Sequence, residues 1–549
     1  MTTVTPEQRA LGRENANAAL GFTRRDFLRG AAAAPALGAF YFGYKALGEQ
    51  HPPVRAAIIG TGNEGCGAMI HDHNRHYIDY IGFCDIRPSN QRRCLDEFAK
   101  HPQYTKADVQ RIKERMYQDV DEMLADKDVE LVVIALPLWL HAPVAIKAMQ
   151  AGKHVFCEKL MAHNVGQCKE MVRVAHATNR LLAIGHQRHY SVLYDNANYL
   201  VQNGVLGEIR HIRALWHRNN AWPVIKKDSN GKLVYDKDGN PEYVRDEHGN
   251  IKYFDSWKPE IPPEDKNVDF AKYGYKSLDE LVRWRLYNRT GAGLMAELGS
   301  HQLDACSIFL GKKHPLAVSG MGGTYFFTDG REVDDHVFVT FEFPGRSTDH
   351  GGKDRGDHVI VTYSSINTNA FENYGEMIYG SKGTMIVEGE KEILLYKEAD
   401  RNRGGGGGRS TSITMEKGKD GKPVMETSPS VGGPSQAAAL GGLATTGQPD
   451  ISRGYREELE HFAYCIRHGD PSDYHAPARL PREQFEKDAE AQAVTPRCRG
   501  EVALADAVIA LTSNLAMKKR TRIEFQEAWF DYRSDETPDD SAGEIKTKA

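Results

Sequence analysis

From Val54 onward, short unbroken apolar runs alternate with stretches whose apolar positions recur at helical spacing. The runs are VRAAIIG, YIGFCD, VELVVIAL (129–136), KHVFCE (153–158) and LLAIGH (181–186), with helices expected near 108–126, 141–151 and 164–178. Strands without polar alternation are covered on both faces, so the pattern predicts a Rossmann-type, doubly wound parallel sheet over residues 51–190. After about residue 205 the texture changes. EIRHIRALWHR and HVFVTFEF (336–343) alternate in character, and one apolar helix is expected over 291–310. This second part, 191–525, reads as an α+β domain with an open, mainly antiparallel sheet. Two polar insertions interrupt it, near 225–275 and 400–450. The first places glycines at 231, 239 and 249, a spacing that suits a meander of short hairpins. The second is glycine-rich and of low complexity. Residues 526–549 read as a C-terminal tail.

The first 50 residues read as a leader and linker. TRRDFLR at Thr23–Arg29 resembles the twin-arginine export motif, and the Ala- and Gly-rich apolar stretch Gly30–Tyr44 follows it. That stretch is shorter than the roughly 20 apolar residues of a membrane span. A periplasmic destination is expected, with an N-terminal membrane anchor if the signal stays uncleaved.

Composition removes several classes. The 549 residues are 40% apolar and 26% charged, ordinary for a soluble protein of two or three domains. Lys and Arg total 70 against 75 acidic residues, a formal net charge of −5 that offers no basic field for nucleic acid. The eight cysteines show no C-x-x-C pair, and HDHNRH (71–76) reads as a solvated helix face, so no metal is expected.

Gly60-Thr61-Gly62-Asn63-Glu64-Gly65 follows a strand and opens a helix, so backbone N–H groups can approach a pyrophosphate there. Asp85, twenty residues past Gly65 at the end of the second strand, is placed to accept hydrogen bonds from ribose hydroxyls. NAD is the expected cofactor. Arg87, two residues on, leaves NADP open.

ALPLWLHAPVAIKAMQAGKHVFCEKL resembles the Gfo/Idh/MocA family, the glucose-fructose oxidoreductase and inositol dehydrogenase group, and the likeness continues through YGSKGTMIVEG (379–389) and ALADAVIAL. The resemblance implies a catalytic Lys159, with Pro137, His141 and Glu158 near the cofactor. Leu160 stands where the family has proline, leaving two readings, a cis or a trans Lys159–Leu160 bond. Glu297 and His301 match the family's acid-x-x-x-His pair, which implies His301 as acid/base at the substrate with Glu297 orienting it or Lys159, and Asp304 matches a further acidic position, expected at the substrate. The spacing of four would put carboxylate and imidazole on one helix face, with a neutral His301 able to take a proton. Arg188, Trp216 and His217 are expected at the cleft, Arg188 and His217 to hydrogen-bond a sugar and Trp216 to stack on it.

The expected activity is hydride transfer between NAD(P) and a ring hydroxyl of a sugar, glycoside or cyclitol, with tightly held cofactor. The alternative is a redox-neutral glycosidase that oxidises, eliminates, hydrates and reduces. A homo-oligomer through the C-terminal sheet is expected.

Overall fold

The computed structural model describes residues 4–20, 51–246, 249–345, 357–398 and 453–539, together with the backbone of 416–417 and 423–424. The twin-arginine motif lies outside the described residues.

Six parallel strands form the first sheet: β1 (Val54–Ile59), β2 (Ile78–Cys84), β3 (Met116–Tyr117), β4 (Leu131–Ile134), β5 (His154–Glu158) and β6 (Leu182–Gly185). Their order is β3-β2-β1-β4-β5-β6, so the chain reverses direction across the sheet between β1 and β4. Such a switch point opens a crevice at the carboxyl ends of the strands. Near-complete burial of β1, β4, β5 and β6 matches their unbroken apolar runs. The long helix expected near 108–126 is instead two helices, Lys106–Glu114 and Val120–Ala125, around β3. Each has its own start: Thr105 caps the first through Asp108, and the Asp119 side chain caps the second at Glu122.

The second sheet contains β7 (Ile209–His217), β8 (Ala317–Gly323), β9 (His336–Pro344), β10 (His358–Ile366), β11 (Tyr374–Gly380), β12 (Gly383–Glu388) and β13 (Glu392–Lys397). They run in the order β13-β12-β11-β7-β10-β9-β8, closed by the short strand Ile523–Glu524. The β7–β10 pair is parallel and the others are antiparallel. Alternating burial along β9 and β10 gives one core face and one open face. In the polar insertion, bridges Lys227 to Leu233, Tyr235 to Pro241 and Arg245 to Ile251 make the expected meander of hairpins.

The two domains are interleaved more deeply than the chain order suggests. Helix Gly500–Lys519 has the length and composition of a membrane span, yet it is largely buried, packed against β8 and against helix Val165–Thr178 of the first domain. Helix Tyr455–His468 completes the apolar layer of the first sheet, where fully buried Phe462 meets Phe156 of β5. The domain boundary expected near 190 therefore separates only part of the chain. The segment read as a tail is docked as far as Asp539, with Lys169 Nζ donating to the carbonyls of Ala528, Ser534 and Glu536. The leader is also partly structural. Helix α1 (Pro6–Ala19), capped by Thr5 and Gln8, lies on β13, where Ala16 is buried and Arg9 pairs with Glu388 and Glu392.

All eight cysteines are buried, free thiols. HDHNRH is only partly solvated: His71 is exposed and pairs with Glu97, while His73 is buried between the Ile70 carbonyl and the Tyr104 hydroxyl. The helix there ends at Ile70, so the motif lies on the following turn.

Phe462→Ala should cost about 3–5 kcal/mol, the usual loss for a buried aromatic. Thermal unfolding of the full chain checks this; an unchanged Tm would mean that Tyr455–His468 is not part of the first domain's core.

Candidate active site

A cavity of about 690 Å³ opens at the carboxyl ends of β1, β2, β4 and β5. Its floor is the glycine loop. Gly60 has φ +86°, and a Cβ at Gly65 would lie 2.1 Å from the Gly60 carbonyl oxygen, so both positions require glycine. Gly62 is different. A Cβ there would meet only the Asn90 amide, at 4.0 Å, and would otherwise project into the space that lets a pyrophosphate approach the backbone.

Asp85 organises this floor. Its Oδ2 accepts from Thr61 N at 2.7 Å, from Thr61 Oγ1 and from Asn90 Nδ2, and its Oδ1 accepts from Arg87 N at 2.9 Å. Burial pushes its pKa up, opposed by these donors. Arg87 is committed elsewhere: its Nε donates to Asp265 Oδ2 at 2.9 Å, and Asp265 also accepts from Ser89. The Asn63 side chain accepts from Arg93. A carboxylate facing the ribose position and an arginine already paired suit NAD, and the donor set fits that cofactor.

Lys159 stands at the end of β5, with the Lys159–Leu160 bond cis, which decides between the two readings left by Leu160. Its Nζ donates to the Glu297 carbonyl at 2.8 Å. His141 bridges the Leu136 and Leu160 carbonyls at 2.8 Å each, fixing the turn on which Lys159 sits. Pro137, His141, Glu158, Lys159 and Glu297 all line the cavity. Glu158 is buried, its Oε1 has no partner, and burial followed by the neighbouring Glu64 pushes its pKa well above the carboxylate range. A Cβ at Gly185 would lie 2.8 Å from that oxygen, so the glycine makes room for it.

The Glu297–His301 pair departs from expectation. Met295–Gly299 is a π-helical turn, and the α-helix begins only at Ser300. The Glu297 carboxylate points to Arg285, whose Nε donates to Oε2 at 2.6 Å, and no hydrogen bond joins it to His301 among the described residues. Burial would raise its pKa, but Arg285 and Lys159 outweigh burial and hold it low. His301 is buried, with Nδ1 unpartnered, and does not line the cavity. Burial, then the charges of Lys159 and Arg188, depress its pKa well below 6.5, so the imidazole is neutral.

Four other residues expected at the cleft do not line the cavity. Arg188 sits on the tight turn after β6, which carries its guanidinium under the second sheet to Glu376 and Glu390, at 3.0 and 3.1 Å, and to the His301 carbonyl. Trp216 stacks on Tyr374 with centroids 4.5 Å apart. His217 is held by Ser364 Oγ at 2.8 Å and the Phe371 carbonyl. Asp304 is tied to His189 and Lys312 at 2.8 and 2.6 Å. In each case contacts with other elements hold the side chain away from the cavity.

The opposite wall comes from residues the sequence reading passed over: Trp257, Tyr275, Trp284 and Arg285. Arg285 lies over the Trp284 ring at 4.2 Å. The visible signal was a set of aromatic residues and arginines in FDSWKPE and VRWRLYN, next to a polar insertion.

Residues 54–186 match the model of an oxidoreductase family with an NAD-binding Rossmann fold, Gfo/Idh/MocA, and residues 267–386 match the GFO/IDH/MocA C-terminal domain. Inositol 2-dehydrogenase of Salmonella typhimurium is 28% identical over 162 residues, 28% of this chain and 43% of that protein. A glycosyl hydrolase family 109 protein of Shewanella woodyi is 28% identical over 185 residues, 32% of this chain and 37% of that protein. The chain spans about half the length of the curated relatives it matches. An inositol dehydrogenase homolog from Azotobacter vinelandii, solved with NADH and myo-inositol, shares the fold: TM-score 0.52 and 14% identity over 86% of this chain and 98% of that one.

Gly62→Val should fill the pyrophosphate approach without disturbing the protein around it. NADH titration followed by fluorescence should show affinity lost by at least an order of magnitude at unchanged Tm; wild-type affinity would remove the loop from the cofactor site.

Proposed function

The chain belongs to the Gfo/Idh/MocA oxidoreductase family, and from that premise we propose that it transfers hydride between NAD and a ring hydroxyl of a sugar, glycoside or cyclitol. One observation carries the reading: a single cavity joins the glycine loop and Asp85 to Lys159 and Glu158. NAD bound on the loop supplies the hydride acceptor. Lys159, held by the Glu297 carbonyl, donates to the reacting oxygen and stabilises negative charge developing there. The neutral His301, buried behind the cavity lining with Nδ1 unpartnered, is the proton acceptor, reached from the cavity by proton transfer through Lys159, whose charge acts on it. Glu297 positions Arg285 against the aromatic wall rather than orienting His301. Asp85 and the engaged Arg87 support NAD over NADP.

The likeness to family 109 glycosyl hydrolases favours one second reading, a redox-neutral glycosidase that returns the hydride to the same ring. The leader supports it, because an exported enzyme has no pool with which to exchange NADH. The twin-arginine route carries folded proteins and would export the chain with its cofactor enclosed. Because α1 precedes the motif and packs on β13, cleavage after the signal would sever a helix that covers the sheet edge, which supports an uncleaved, membrane-tethered form. Exposed Met321 and Phe338, paired across β8 and β9, support homo-oligomerisation through the open sheet face.

Lys159→Ala and His301→Ala should each lower kcat by roughly 10²- to 10⁴-fold with NADH binding retained; wild-type turnover in both would remove the proposed site. Since the folded pKa of His301 is depressed, the neutral base persists as pH falls through 6.5. The acid limb of kcat/KM assigned to it should lie below that value, and a limb at 6.5 or above would exclude His301 as the base.

Product analysis without added NAD separates the two readings. A glycosidase yields free sugar and aglycone and, in D₂O, deuterium at the carbon that was deprotonated. A dehydrogenase yields an oxidised sugar.

A further inference from the structure

Arg218 follows β7 and is 2% exposed. Its Nε and Nη2 both donate to the Asn367 side-chain oxygen, at 3.2 and 2.9 Å. Among the described residues it forms no ion pair, and its Nη1 has no acceptor. A single neutral amide oxygen does not balance a desolvated guanidinium, since buried charge is normally paired. Burial accordingly pulls the Arg218 pKa down to about 10.

The carboxylates that act on Arg218 are both committed to other cations. Asp255 is paired with Arg331 at 2.8 Å, each nearly fully buried, and Glu297 is paired with Arg285 at 2.6 Å. Two further buried groups beside Arg218 also lack partners: the hydroxyl of Tyr363, which interacts electrostatically with it, and the Nδ2 of Asn220, whose backbone N–H donates to the Asn367 carbonyl. Donors therefore accumulate at this point without an acceptor.

Arg218 itself does not line the cavity; it lies directly behind the wall formed there by Trp257 and Asp255. The Trp257 ring lies 4.9 Å from the Arg218 guanidinium carbon, and both Trp257 and Asp255 line the cavity wall. Asn367 occupies the Nε side of the guanidinium, which leaves the Nη1–Nη2 end. That end matches the two oxygens of a carboxylate in a bidentate pair.

We propose that Arg218 is the anion-recognition residue of the sugar site and that the substrate carries a carboxylate, as a uronic acid or its glycoside. The proposal rests on reading the cavity as an NAD-dependent sugar site. Arg218 then fixes which end of the ring enters, with Asn220 and Tyr363 completing the donor set and Trp257 covering the pair from solvent.

The test uses the full chain loaded with NADH, and a panel of hexuronates, each matched with its neutral hexose and with the hexose 6-phosphate. Binding is read by Tm shift and tryptophan fluorescence, and NADH content is measured in the same samples. At least one hexuronate should bind more tightly than its hexose, and Arg218→Gln should weaken that hexuronate about tenfold or more while leaving the hexose unchanged. Arg218→Lys, which keeps the charge and loses the fork, should fall between. Unchanged NADH content in both variants shows that they fold and separates this test from that of the cofactor reading. Equal binding of acid and hexose, a preference confined to the phosphate, an acid preference surviving in Arg218→Gln, or no response to any hexuronate would each overturn the proposal.

Discussion

The site depends on one short hydrogen-bonded chain across two domains. Lys159, at the end of β5, donates to the carbonyl of Glu297 on a helix 138 residues later, and the Glu297 side chain holds Arg285. Glu297 lies in the π turn Met295–Gly299, and its carbonyl accepts from the ammonium with one of its two lone pairs. The carbonyl thus holds the ammonium at the cavity while the carboxylate holds Arg285 at the aromatic wall.

Burial then decides protonation around that chain. Glu158 is pushed toward its neutral acid and His301 toward its neutral base, because desolvation disfavours whichever form carries charge. Charges that stay buried are paired: Arg188 with Glu376 and Glu390, Asp304 with Lys312, Arg331 with Asp255. The interior thus separates groups held neutral by burial from ion pairs that tie elements of the fold together. Arg218 belongs to neither set.

Much of this was legible in the chain. The parallel sheet followed from unbroken apolar runs, and the cofactor loop from glycines whose spacing encodes a backbone shape, since Gly60 and Gly65 admit no side chain. What misled was the assumption that regular spacing means regular geometry. Spacing alone paired Glu297 with His301, whereas Arg285 takes the Glu297 carboxylate at the cavity wall and His301 stays buried behind it. Arg188, Trp216, His217 and Asp304 looked like cleft residues because they are polar or aromatic and follow strands of the two sheets or lie on the helix that carries His301. Partners such as Glu390 for Arg188 and Tyr374 for Trp216 lie far away in sequence and cannot be read from local pattern. The same distance hid the aromatic wall and the docking of α1.

Catalysis as proposed requires this cavity to hold NAD firmly enough for it to stay with the protein. Denaturing the purified full-length chain and identifying the released nucleotide by chromatography and mass tests it most directly. NAD or NADH released in near-stoichiometric amount is the predicted result; protein that is free of nucleotide, or that releases NADP, would contradict it.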